Sequence, residues 1–214
     1  MKGTVLDLGC GDMPYRSLFE NRDAPVTRYL GLDLADASVP RTGPAPDLTW
    51  DGSTIPMKRE SIDWAIATEV LEHCPDREAV MREVARVLKP GGRFFATAPF
   101  LWPLHEVPHD EARPTPFALR RELAAAGLTV ERMESLGGWD QSLAQMIGLW
   151  VRRRPMQSRY RVPLGWLAAP LVRLLAHRPW DPEGFGESQM LTGTWFLARK
   201  ARGGPETTAQ PDAP

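Results

Sequence analysis

The chain's 214 residues fit one α/β domain, or one domain with an appendage, and can bury a single substantial core. Its 26 Lys and Arg balance 27 Asp and Glu, and a net charge of −1 gives no general reason to expect a nucleic-acid partner. A hydrophobic share of 43%, with no uncharged run beyond about a dozen residues, excludes a transmembrane helix on length.

The start, MKGTVLD, has no apolar signal core. Cys10 and Cys74 are too few for a disulfide framework, so a reducing cytoplasm is the expected compartment. Short apolar runs then alternate with helical patterns, which predicts a parallel sheet with crossover helices. The predicted strands are Thr4–Leu8, Tyr29–Asp33, Leu48–Asp51, Ile62–Ala67, Arg93–Ala98, Leu128–Met133 and Thr194–Lys200.

The first strand runs into Gly9-Cys10-Gly11, where two residues without Cβ let the backbone approach a bound group. A helix opening near Pro14 would aim free amides at that group. Alone, such a turn is as readily structural. Asp33 ends the second strand 22 residues after Gly11, where a carboxylate can accept both ribose hydroxyls or simply cap a turn. Asp51-Gly52 ends the third strand and could meet an adenine amino group. The clearest helix is Asp76–Leu88, with Asp76 as cap, an apolar stripe at Val80, Val84, Val87 and Leu88, and Lys89-Pro90-Gly91-Gly92 as its stop.

After the fifth strand, Pro99 to Phe117 contains a literal His-Glu-x-x-His from His105 to His109. A zinc peptidase needs both histidines on one helical face, and Pro103 and Pro108 argue against a helix there. The alternatives are a loop whose His105, Glu106, His109, Asp110 and Arg113 line a substrate, or an Asp110–Arg113 pair that merely fixes the loop. A second helix opens at Thr115-Pro116 and closes at Gly127.

Residues 135–192 form a mostly helical insertion before the last strand, and the tail 201–214 lacks core-forming residues. From Val151 to Trp180 there are seven arginines and no acid. Within that stretch VPLGWLAAPLVRLLA is apolar but interrupted by Pro163, Gly165 and Pro170. Trp166, Leu167, Leu171 and Leu174 either pack onto the sheet as a lid or, with the arginines, meet an anionic membrane surface or an acidic partner.

VLDLGCG, YLGLD, LTWDG, IDWAIATEVLEH and RVLKPGGRFFATAPF together resemble class I S-adenosylmethionine-dependent methyltransferases of the type 11 sort. The resemblance implies a doubly wound, mostly parallel seven-stranded sheet over residues 1–200, with S-adenosylmethionine as cofactor. It implies that Asp7 helps position the methionine end, that Gly9 and Gly11 pass under the cofactor, that Asp33 holds ribose and that Asp51 faces adenine. Thr68 and Glu69 would line the methionine side, with Cys10, Leu34 and Gly52 completing the set. Met13 stands where many members carry a third glycine. Little chain precedes the first strand, where members usually have covering helices, so either the true start lies upstream or 135–192 supplies a lid.

A His-Glu-x-Pro-x-Asp…Arg-x-Thr pattern after the fifth strand is similar to type 11 enzymes encoded near glycan-assembly genes. The expectation is methyl transfer to a hydroxyl of a sugar, lipid-linked or secondary-metabolite acceptor. No resident metal is expected, and His105 is the candidate base because imidazole ordinarily titrates near neutrality. The alternatives are a cofactor-binding protein without turnover and a zinc hydrolase using His105 and His109.

Overall fold

The structure, a computed structural model, describes residues 1–20, 25–35, 43–181 and 184–203. Seven strands form one sheet in the order β3-β2-β1-β4-β5-β7-β6. They are β1 (Gly3–Leu8), β2 (Val26–Leu34), β3 (Leu48–Trp50), β4 (Ile62–Thr68), β5 (Leu88–Pro99), β6 (Leu128–Leu136) and β7 (Gly193–Lys200). The first five run parallel, and β7 lies antiparallel between β5 and β6. The order reverses at β1, whose neighbours are β2 and β4, and such a switch point opens a crevice at the C-terminal strand ends.

Along β1 the side chains alternate between two cores. Leu6 and Leu8 enter the larger one, which takes Val80, Met81, Val84 and Val87 from α2 (Arg77–Val87) and Leu119 and Leu123 from α3 (Pro116–Ala125). Val5 enters the smaller one with Cys10, Met13, Tyr29 and Ile66. Asp76 caps α2 by accepting from the Ala79 amide at 2.8 Å, and Thr115 caps α3 in the same way from Ala118. Arg77 donates two bonds to the buried Glu122 carboxylate, at 3.1 and 2.8 Å, tying α2 to α3.

Four expectations need correction. The helix after the glycine turn, α1, spans only Arg16–Phe19, so Pro14 opens no helix that could aim amides at a ligand. Helix α2 runs from its cap Asp76 to its C-cap Leu88 as expected, but Lys89-Pro90-Gly91-Gly92 lies inside β5 rather than in a turn; Gly91 takes φ +80° there, and an added Cβ at Gly92 would stand 2.9 Å from the Lys89 carbonyl oxygen. Ser135 and Leu136 belong to β6, so the insertion proper begins at Gly137 and is built from α4 (Trp139–Arg153) and α5 (Ser158–Ala176). Helix α5 runs through both Pro163 and Pro170, and none of its residues is buried. Trp166 and Leu167 are 80% and 78% exposed, and Leu171 and Leu174 are exposed too, so these side chains do not pack on the sheet. The expected tail lies, after Gly203, outside the described residues.

Candidate active site

At the C-terminal end of β1, Gly9 and Gly11 take φ of +63° and +50°, a region L side chains avoid. A Cβ on Gly9 would stand 2.5 Å from Val70 Cγ2, so this glycine also lets the loop settle on the segment after β4. Asp33 at the end of β2 accepts from the Gly11 amide at 2.9 Å and from Leu34 N at 2.7 Å. Loop and acid, 22 residues apart, are thus directly bonded.

Asp51 closes a turn, accepting from Ser53 N, Ser53 Oγ and Thr54 N, and these donors hold its carboxyl down at about 2. Leu34 is 48% exposed beside Gly52, where an added Cβ would lie 3.4 Å from Leu34 Cδ2. Glu69, at φ +55°, accepts a 2.6 Å bond from Thr97 Oγ1 and follows Thr68 at the end of β4. An open edge with a glycine cradle, acids at successive strand ends and an exposed apolar side chain fits a nucleoside carrying a charged tail.

Asp7, one residue from the end of β1, is buried. It is 1% exposed and accepts from the Tyr29 hydroxyl, and burial is the main influence raising its carboxyl to about 6. Cys10 is packed in the smaller core. Met13, at φ +54° and 5% exposed, lies against Gly31, where a Cβ would meet its sulfur at 2.6 Å. Asp47, which sequence reasoning missed, accepts from Gly31 N at 2.7 Å and pairs with Arg16. Its only signal was a carboxylate three residues before the β3 end.

The segment after β5 is not helical from His105 to His109, so the spacing required of a zinc peptidase helix is not met. His109 is exposed and contributes its carbonyl, which lies 2.8 Å from His73 Nδ1. Asp110 binds Arg113 bidentately, and that guanidinium holds the carboxyl well below the usual range. Asp110 Oδ2 also accepts from His105 N at 3.1 Å and lies 3.4 Å from His105 Nδ1. The other ring nitrogen, Nε2, faces Glu72. Glu106 reaches His73 at 3.7 Å rather than His105.

Glu72 was not singled out in the sequence. It sits in a single 3-10 turn, Leu71–His73, after β4 and is fully buried, and burial drives its carboxyl well above the ordinary carboxylate range. Beyond this cluster, Trp139, Leu101, Leu143, Met146 and Met190 line a cleft of about 310 Å³ between α4 and the segment after β5.

Residues 6–96 match a family described as "Methyltransferase domain". A Mycolicibacterium smegmatis protein named "Probable S-adenosylmethionine-dependent methyltransferase/" is 28% identical over 185 residues, covering 84% of this chain and 67% of that protein. A ubiquinone biosynthesis O-methyltransferase of Idiomarina loihiensis is 33% identical over 100 residues, covering 42% of this chain and 40% of its own length. The match therefore spans well under half of that second relative. In fold, the chain is similar to an S-adenosylmethionine dependent methyltransferase from Mesorhizobium loti (TM-score 0.57, 16% identity, covering 93% of this chain and 92% of that one).

Proposed function

Because the chain carries a class I S-adenosylmethionine-dependent methyltransferase domain, we propose that it moves the cofactor's methyl group to a hydroxyl of a sugar, lipid-linked or secondary-metabolite acceptor. The observation that carries this reading is the placing of His105, backed by Asp110, at the sheet edge that also holds the glycine loop, Asp33 and Glu69. The O-methyltransferase among the relatives supports a hydroxyl acceptor.

S-adenosylmethionine, when bound, supplies an electrophilic methyl whose C–S bond breaks, the electron pair staying on sulfur, as the acceptor O–C bond forms. The chain's share is orientation and removal of the hydroxyl proton. Asp33 holds the ribose, Leu34 and Gly52 flank the adenine, and Thr68 and Glu69 line the methionine end. Asp7 acts through Tyr29, which packs against Cys10 of the loop, as a positioning residue. His105 Nε2 takes the proton, and Asp110, kept anionic by Arg113, bonds the His105 amide and favours the imidazolium by its charge 3.4 Å from Nδ1.

The experiment is turnover with ¹³C-methyl-labelled cofactor and extract from the source cells. The expected product carries a labelled methoxyl carbon, and His105→Ala lowers the single-turnover rate by about 10²–10⁴. Label on nitrogen or carbon overturns the hydroxyl acceptor. Cofactor binding without any labelled product would make the chain a cofactor-binding protein.

A second reading concerns α5. Val162, Trp166, Leu167, Leu171 and Leu174 are exposed beside a stretch with seven arginines and no acid, which supports peripheral contact with an anionic membrane or a lipid-linked acceptor held there. No described helix is long and apolar enough to cross a membrane.

A further inference from the structure

Glu72 is fully buried, and neither of its side-chain oxygens has a hydrogen-bond partner among the described residues. A carboxylate left so costs several kcal/mol unless it is protonated or meets a cation. Arg113, whose charge Glu72 feels, is committed to Asp110 through two bonds. What face the carboxylate instead are two imidazoles.

His73 Nε2 and His105 Nε2 each lie 3.8 Å from Glu72 Oε1. That is too long for a hydrogen bond. It is close to the separation of atoms that share an ion at about 2.0–2.2 Å, which stand about 3–3.5 Å apart. All three donor atoms lie within 4.8 Å of one another, so they draw together by about an ångström to share an ion with bonds of about 2.0–2.2 Å.

The far side of the His73 ring is arranged to match, and the His105 ring has a carboxylate behind it. His73 Nδ1 is 2.8 Å from the His109 carbonyl, and His105 Nδ1, which makes no hydrogen bond, has Asp110 Oδ2 as its nearest anion at 3.4 Å. A proton held on Nδ1 leaves the Nε2 lone pair directed at Glu72, and a carbonyl or carboxylate behind the ring is the usual support of a metal-bound histidine. The three groups are also held in place from below. Glu111 N and Ala112 N donate to the Glu72 carbonyl at 2.8 and 3.2 Å, so the segment carrying His105 is bonded to the turn carrying Glu72 and His73.

We propose that Glu72, His73 and His105 form a binding site for one divalent first-row transition-metal ion. Two imidazoles and one carboxylate leave further positions for water or an acceptor oxygen. The inference rests on this geometry and not on the hydroxyl-acceptor reading. A bound ion and a free base are exclusive uses of His105 Nε2; in the loaded protein the acceptor hydroxyl would be acidified by the ion instead.

The test uses the whole chain with Co²⁺ and Zn²⁺ alone, without cofactor or acceptor, so its failure is distinct from a failure of methyl transfer. One equivalent of Co²⁺ is expected to give a visible absorption band that Zn²⁺ abolishes. Glu72→Gln and His105→Ala should each weaken Zn²⁺ binding by at least about tenfold in calorimetry, while His109→Ala, which removes only an exposed ring, binds as the parent does. If Glu72→Gln does not fold, as judged by circular dichroism, His73→Ala replaces it. Absence of the cobalt band, or equal Zn²⁺ affinity in the parent and in the cluster variants, overturns the site.

Discussion

Asp33 serves the loop and, in the proposed reading, the ribose as well. Asp33→Ala removes an ionised acceptor, and hydrogen bonds to charged groups contribute about 1.5–3 kcal/mol. S-adenosylmethionine affinity by calorimetry should fall by that amount, with Asp33→Asn losing less because one acceptor oxygen remains; unchanged affinity in a folded variant removes Asp33 from the ribose role. Asp7 makes a different statement, about pH. Its folded pKa, about 6, lies above the ordinary 3.8, so folding favours the protonated form. That stabilising contribution is complete below about pH 4 and is lost as pH rises through 6. A shift of about two units corresponds to about 3 kcal/mol. Asp7→Asn keeps an acceptor for the Tyr29 hydroxyl and cannot ionise, so urea midpoints should show the parent losing about 2–3 kcal/mol relative to the variant between pH 4 and pH 7.5. Parallel pH profiles for the two proteins would show that Asp7 ionises in the fold as it does in the unfolded chain.

Among the elements, the strands were the most legible in the sequence. Each is an apolar run bounded by turn residues, and pairing in the sheet leaves such runs few alternatives. Helix α5 was not, because Pro163 and Pro170 read as breaks. Each proline removes one amide donor, yet the helix continues, with its exposed carbonyls open to water and its contacts made chiefly with α4. The Glu72 cluster was illegible for another reason. Glu72 and His73 are adjacent but His105 stands 33 positions after Glu72, and the parallel pairing of β4 with β5 brings the segments that follow these strands to one edge. Gly165 tests the α4–α5 contact: an added Cβ would lie 3.7 Å from Val151 Cγ1, an ordinary van der Waals distance. Gly165→Ala should therefore stabilise the protein by about 0.5–1 kcal/mol in thermal or urea unfolding, the usual gain at a helical glycine. A loss of stability would mean that the two helices pack more tightly there than their spacing indicates.

For the whole molecule, charge is segregated. Residues 151–180 carry +7, so the remaining chain carries −8 within a total of −1. The protein should co-sediment with anionic vesicles at low salt, release as ionic strength rises, and ignore neutral vesicles. Equal sedimentation with both vesicle types would leave the apolar face of α5 acting without the arginines, and none with either would end the membrane reading. The sheet has a further property at this scale. Strand β6 pairs only with β7 among the described residues, and β7 is made after both α4 and α5. On the ribosome, β1 to β5 can assemble as soon as they emerge. Strand β6, held meanwhile through its packing on α3, must wait for a strand partner until Gly193–Lys200 clears the exit tunnel and slides between two strands already synthesised.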